Sequence, residues 1–193
     1  MNFYGKIFII SGPSGSGKTT LYQKLLADRD LKGRIVKTIS VTTRPMRAGE
    51  KNGRDYFFVS LKMFLCKRKA NHFLESQKVF DNYYGTPQKQ VYDLLNAGEN
   101  VLLCIDVGGA RIVCQKFPEA VRIFIKTSSL EALEKRLECR GSEDRWGIRQ
   151  RLKTARQELK EAKCYRYVVV NDDLSNAYQE LKQIMVKELL FQL

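Results

Sequence analysis

Eight consecutive residues, Gly12-Pro13-Ser14-Gly15-Ser16-Gly17-Lys18-Thr19, satisfy the spacing G-x-x-x-x-G-K-[ST]. Glycines at these positions let the backbone wrap so that its N–H groups point inward at phosphate oxygens. The lysine supplies a point charge to β- and γ-phosphates, and the closing hydroxyl can bind magnesium. The same pattern can arise by chance in a glycine-rich loop. Here it follows directly on an apolar run, Lys6 to Ser11 (KIFIIS), and leads directly into a helical pattern from Gly17 to Ala27, the strand-loop-helix context that a phosphate cradle needs. Such a loop works with a second acid at the end of a neighbouring strand. Asp106 closes the run VLLCI in that position, although a strand-end Asp can also simply cap the following turn. Lys18, Thr19 and Asp106 together imply a nucleoside triphosphate and Mg2+.

The chain has one histidine, His72, so catalytic arrangements that need a second histidine are excluded and a Ser-His-Asp arrangement is disfavoured. That bears on the phosphoryl acceptor. A hydroxyl acceptor profits from a general base, whereas a phosphate monoester, with a second pKa around 6, is already largely ionised near neutrality. Phosphorylating a phosphate asks only for positioning and charge neutralisation. Arginines outside the loop are then expected, and the sequence has them.

These residues need a scaffold. Strands are expected at Lys6 to Ser11, Ile35 to Ser40, Asn100 to Asp106, Ala120 to Lys126 and Tyr167 to Asn171. Helices are expected at Gly17 to Ala27, Pro87 to Ala97, Ser129 to Cys139, Trp146 to Ala162 and Leu174 to Leu190. Ser128 and Glu131 read as a capping box, and Thr86-Pro87 as an N-cap followed by proline in the first turn. Alternation of this kind predicts an α/β fold with a mainly parallel sheet and flanking helices. From Arg44 to Tyr84 the rhythm breaks into charge and aromatics, with a short strand at Tyr56 to Val59 and a helix from Leu61 to Ala70, which reads as an inserted lobe. Arg140 to Arg151 (RGSEDRWGIRQR) reads as an arginine-bearing loop running into a helix.

Composition sets the outer bounds. The 193 residues carry 34 Lys+Arg against 21 Asp+Glu, a formal charge of +13, with 44% hydrophobic and 28% charged residues, which suits one globular domain. The excess charge alone allows nucleic acid, an anionic membrane surface or small phosphorylated substrates. Five cysteines, Cys66, Cys104, Cys114, Cys139 and Cys164, include no C-x-x-C pair and point to thiols in a reducing compartment. The apolar run Ile7 to Ile10 is too short for a signal peptide, and a soluble cytoplasmic protein is expected.

The motifs SGPSGSGKTTL (Ser11 to Leu21), SVTTRPMRAGE (Ser40 to Glu50), GRDYFFVS (Gly53 to Ser60), HFLE (His72 to Glu75), NYYGTP (Asn82 to Pro87), LLCIDVGGA (Leu102 to Ala110), KRLECRG (Lys135 to Gly141), IRQRL (Ile148 to Leu152) and VVVNDDL (Val168 to Leu174) resemble those of the guanylate kinases in order and spacing, from about residue 6 to residue 190. The resemblance implies a P-loop NTPase fold in a single domain. Its core would be residues 1–39, 87–135 and 164–193, its GMP-binding lobe about 40–86, and its lid about 136–163. It implies ATP binding by Gly12, Pro13, Ser14, Gly15, Ser16, Gly17, Lys18, Thr19 and Thr20, with Asn171 on the adenine side. Arg44, Arg47, Tyr56 and Tyr84 would clamp the GMP phosphate, and Glu75, Ser40 and Thr86 would read guanine. Lys18, Arg44, Arg140 and Arg151 would serve catalysis, with Arg136 a weaker lid candidate, and Thr19 and Asp106 would hold Mg2+. A carboxylate at Glu75 suits that role because it can accept from both N1–H and the 2-amino group of guanine, a donor pair that adenine lacks on that edge.

The sequence departs from the family at Cys104, where an acid is usual, and more mildly at Pro45, Gly108, Cys139 and Ser76-Gln77. The expected activity is transfer from ATP to GMP or dGMP by a monomer or homodimer, without nucleic acid or membrane. Two other readings stand beside it: a non-catalytic guanylate-kinase-like binding module, against which the intact Gly12, Gly17, Lys18 and Thr19 argue, and a P-loop ATPase acting on nucleic acid.

Overall fold

In the computed structural model, which describes residues 5–139 and 144–190, the aliphatic runs form strands and the stretches of helical period form helices. In chain order the elements are β1 (Ile7–Ser11), α1 (Lys18–Ala27), β2 (Ile35–Lys37), β3 (Val41–Thr42), β4 (Phe57–Phe58), α2 (Leu61–Lys69), β5 (Phe73–Val79), β6 (Asn82–Pro87), α3 (Gln88–Asn96), β7 (Asn100–Cys104), α4 (Val107–Lys116), β8 (Val121–Lys126), α5 (Leu130–Cys139), α6 (Arg145–Lys160), β9 (Tyr167–Val170) and α7 (Leu174–Leu190), with a short 3-10 turn at Glu161–Cys164. They fall into two units. One gathers Ile35–Leu103 and Gly108–Ala120 with the residues up to Ile7; the other gathers Phe8–Arg34, Cys104–Val107 and the chain from Val121 onward.

The second unit is parallel α/β. β1 pairs with β8 from Phe8↔Val121 to Ser11↔Phe124, and β8 pairs with β9 from Ile123↔Tyr167 to Lys126↔Val170, all parallel. Every residue of β1 is buried, as expected of a strand covered on both faces. The Ile105 amide donates to the Ile10 carbonyl at 3.2 Å, so Asp106 emerges beside the strand that delivers the glycine-rich loop. The end of α1 is tied to α7 by Asp28, which accepts from the Tyr178 hydroxyl and pairs with Lys182 at 3.0 Å. Helices α5 and α6 close on Leu133, Leu137, Ile148 and Ala155, with Leu130 and Leu152 packed against them.

The first unit holds the parallel pair β2–β7 (Ile35↔Asn100 to Lys37↔Leu102) and a four-stranded sheet of order β4-β3-β6-β5. Only the β4 segment of that sheet is among the expected strands. β5 and β6 form a hairpin, closed at Val79↔Asn82 across Phe80 and Asp81, with Phe80 at φ 54. Phe64 of α2 stacks on Phe73 at 4.7 Å between ring centroids and lies 5.5 Å from Tyr83, which seats the helix on this sheet.

Two expected caps are corrected. The cap of α5 is Ser129, whose hydroxyl accepts from the Ala132 amide at 3.2 Å; Ser128 instead donates its amide to Asp172 at 3.0 Å. α3 starts at Gln88 with Pro87, which has no capping side chain, at the N-cap, and the Thr86 hydroxyl donates to Glu75. None of the five cysteines is in a disulfide, and no helix among the described residues is long and apolar enough to cross a membrane.

Candidate active site

The glycine-rich loop runs from the buried end of β1 into α1. Gly12 (φ 138) and Gly17 (φ 90) lie in the left-handed region, and neither has room for a side chain. A Cβ on Gly12 would collide with the Ile125 carbonyl oxygen, and one on Gly17 with the Asn171 amide. Lys18 Nζ donates to the carbonyls of Gly12 at 2.6 Å and Pro13 at 2.8 Å, so its charge already sits over the loop. The Asn171 amide donates to the Ser16 carbonyl at 2.7 Å. The buried Ser11 and Ser16 hydroxyls and the Asn171 carbonyl oxygen have no partner among the described residues. The two hydroxyls can donate to an anionic ligand at the loop, whereas the Asn171 oxygen can only accept.

The lid-side arginines reach the same place. Arg151 Nη1 donates to Ser14 Oγ at 3.0 Å from α6, whose first turn is capped by Asp144 accepting from the Gly147 amide at 2.7 Å. Arg136 donates to the Asp172 carbonyl at 3.1 Å. Arg140 lies outside the described residues. Seven residues beyond Arg151 on the same helical stripe, with buried Ala155 between them, stands Glu158. Burial pushes its carboxyl up from 4.5 to about 7, against the attraction of Lys18 and with the repulsion of Asp106. Lys18, Asp106 and Glu158 thus share one electrostatic neighbourhood. Glu158 was not among the expected site residues, although its i+7 relation to Arg151 was readable.

The first unit collects the residues expected on the acceptor side. Glu75 of β5 is opposite Thr86 of β6, and β3 pairs with β6 at Val41↔Gly85, so extending the register by one residue puts Ser40 in the same row. All three are buried, and Thr86 Oγ1 donates to Glu75 Oε1 at 2.6 Å. Arg44, Tyr56 and Tyr84 also come together: the Arg44 guanidinium lies 5.5 Å from the Tyr56 ring centroid, and the two tyrosine rings are 6.0 Å apart. Arg44 is itself held. Its two terminal nitrogens donate to Glu50 at 3.0 and 2.8 Å, and Glu50 also accepts the Arg47 amide at 2.8 Å. Burial works against the Glu50 carboxylate, but Arg44 and the Arg47 amide outweigh it and hold its pKa below the usual carboxylate range. Glu50 lay inside a motif quoted above but was given no role; a carboxylate six residues after an arginine carries no local signal of pairing.

The chain matches the family model described as Guanylate kinase over residues 4–188. The chain belongs to the guanylate kinase family. The guanylate kinase of Caldanaerobacter subterraneus subsp. tengcongensis is 44% identical over 185 residues, covering 95% of this chain and 88% of that one. That of Neisseria meningitidis serogroup A is 46% identical, covering 94% and 87%. The crystal structure of guanylate kinase from Anaplasma phagocytophilum superposes with a TM-score of 0.80 at 35% identity, covering 97% of this chain and 88% of that chain. Family membership accounts for the α/β P-loop architecture and for the coexistence in one chain of a triphosphate loop and a separate set of arginines, tyrosines and a buried carboxylate.

Proposed function

We infer that this guanylate kinase family member is an ATP:GMP phosphotransferase, moving the γ-phosphoryl group of ATP to GMP or dGMP and yielding ADP and GDP. The observation that carries the reading is the buried Glu75–Thr86 pair in the unit that also groups Arg44, Tyr56 and Tyr84. A carboxylate fixed by one hydroxyl keeps lone pairs for two further donors, which is what the N1–H and 2-amino edge of guanine offers. With the Thr86 proton on Glu75, the Ser40 hydroxyl is left to donate to O6. Arg44, Arg47 and the two phenols clamp the GMP phosphate, and Glu50 fixes the orientation of the Arg44 fork.

On the donor side, ATP lies along Gly12 to Thr20. Lys18 exchanges its two carbonyl acceptors for β- and γ-phosphate oxygens, and Arg151, with Arg140, stabilises charge on the moving phosphoryl group. Asn171 braces the loop through Ser16 with its amide nitrogen, which leaves its carbonyl oxygen for the adenine side of ATP. The acceptor is already an anion, so no side chain needs to take a proton. Among the described residues no group of three or more His, Cys, Asp or Glu is placed to hold a metal ion. The hard-oxygen set of Thr19 and Asp106, with Glu158 in the same neighbourhood, fits Mg2+ held mainly by triphosphate and water. Bound there, the ion would supply neutralisation of the β- and γ-phosphate charge.

We place the enzyme in the cytoplasm, which suits five cysteines outside any disulfide, acting as a monomer or homodimer without nucleic acid. The lobe at about 40–86 carries GMP, and the segment at about 136–163 covers ATP. An ADP-release assay across AMP, GMP, CMP and UMP tests the whole reading. GMP alone should support fast release, and equal rates with AMP and GMP would refute the guanine assignment.

A further inference from the structure

Glu75 is held from more than one side. Thr86 fixes Oε1, and the first turn of α4 lies against the other oxygen: a Cβ on Gly109 would stand 2.6 Å from Glu75 Oε2 and 3.0 Å from its Cδ. Only a residue without a side chain leaves the carboxylate where it is. Two turns further along the same helix, Lys116 Nζ donates to the carbonyl of Leu74 at 2.9 Å, bridging 42 residues of sequence to the position just before Glu75 in β5. Leu74 is 1% exposed and Glu75 5%, so the strand and its carboxylate are both packed inside the unit. One helix therefore limits the carboxylate at its tip and the strand at its backbone.

We propose that α4, through Gly109 and Lys116, sets the guanine preference of the enzyme by positioning Glu75. The proposal rests on the reading of Glu75 as the guanine-recognising carboxylate. Two acceptor oxygens meet two donors on one base edge only if the carboxylate plane is fixed to about 0.5 Å. A displaced carboxylate keeps its charge but loses the second bond, the one given by the 2-amino group. Gly109 and Lys116 are positioning residues: neither needs to touch the nucleotide, and their effect is on which base is accepted. A packing role alone would weaken all acceptors together.

The discriminating pair of acceptors is GMP and inosine monophosphate, which lacks the 2-amino group. In Gly109→Ala the ratio of kcat/KM for GMP over inosine monophosphate should fall by about tenfold or more, mostly through KM for GMP, because a buried polar mismatch is what separates such substrates. The affinity for Mg·ATP should stay unchanged. Adding Glu75→Asp to Gly109→Ala withdraws the carboxylate by one methylene and should recover part of the ratio. Lys116→Met should lower the ratio by about threefold, with Lys116→Arg keeping it. If Gly109→Ala does not fold, the Lys116 pair decides by itself. Parallel losses for both acceptors at an unchanged ratio would overturn the proposal. Glu75→Gln in the otherwise unaltered enzyme separates the two levels. A fall in the ratio there, with none in the α4 variants, removes only the proposal, whereas no fall in Glu75→Gln itself removes the reading of Glu75 and the proposal with it.

Discussion

Glu158→Gln should make the nucleotide-free protein more stable above neutral pH and leave it unchanged below pH 5. Burial raises the Glu158 carboxyl from 4.5 to about 7, with Lys18 opposing the rise and Asp106 adding to it. Between those values the folded protein keeps a proton that the unfolded chain has released. Stability therefore falls as pH climbs from about 4.5 to about 7 and is flat beyond. A rise of that size corresponds to about 3 kcal/mol, and the side chain's partial exposure brings the expected effect to about 2 kcal/mol. Glutamine has the same shape and no charge to desolvate, so it removes the penalty while keeping the packing beside Ala155. For a chain of this length, about 2 kcal/mol moves the melting temperature by about 4–8 °C. Thermal melts of wild type and variant in metal-free buffers from pH 5 to 8.5 read this directly. The variant should melt higher at pH 8, and the two curves should converge at pH 5. An equal difference at both ends, or a wild type that melts higher at pH 8, would refute the placement of Glu158 beside Asp106 in a half-buried pocket.

Glu50→Gln should raise KM for GMP by about tenfold while changing KM for ATP little, because the Arg44 fork loses its two-pronged charged partner, an interaction worth about 1–3 kcal/mol; steady-state kinetics in each substrate checks it. The Tyr178 hydroxyl and the Lys182 ammonium hold the Asp28 carboxyl down at about 2, so the stability it contributes is present above pH 3.8 and is lost as pH falls toward 2. Asp28→Asn should accordingly unfold at lower urea than wild type at pH 7, with the two midpoints converging near pH 2. Cys104→Asp restores the acid usual in the family and should raise kcat/KM for GMP; an unchanged or lower value would mean that the site has adapted around the thiol.

Local features were legible because their signals are local. The loop from Gly12 to Thr19 announces itself by spacing, β1, β7 and β8 by aliphatic runs suited to a doubly covered strand, and β9 by a valine run although Val168 and Val170 are exposed. The lobe's sheet was not legible for physical reasons. β3 and β4 are two residues each, too short for any period, and β5 (FLESQKV) mixes charge into both faces. Its hairpin turns at Phe80-Asp81 without the Asn-Gly or Asp-Gly that would flag it, the positive φ being taken by a phenylalanine. The two misread caps are each off by one residue, Ser129 standing where Ser128 was expected and Pro87 where Thr86 was. Thr86 carries a helix-capping side chain, but α3 starts one residue later than expected, with Pro87 at the N-cap, and the Thr86 hydroxyl belongs to the strand pair, where it donates to Glu75. Glu50, Lys116 and Glu158 act through partners brought close only by the fold.

The net charge of +13 can be judged from where the cations sit. Lys18 lies on the loop carbonyls and Arg44 on Glu50. Arg166 pairs with Glu188 at 3.1 Å, and Lys182 with Asp28 and Asp30 at 3.0 and 2.6 Å. A nucleic-acid footprint needs cations that face solvent together and can neutralise consecutive phosphates. Several of the cations here are instead turned to named acceptors within their own unit. The Arg44 guanidinium lies 5.5 and 5.6 Å from the Tyr56 and Phe58 ring centroids, so those aromatics are occupied by a cation rather than offered as stacking platforms for bases. What separates a phosphate clamp from a diffuse basic surface is this prior fixing. A cation already oriented by a carboxylate loses little freedom when an anion arrives, so in the proposed clamp the Arg44 fork, fixed by Glu50, would give geometric selectivity for a phosphate that an equal number of solvated lysines would not.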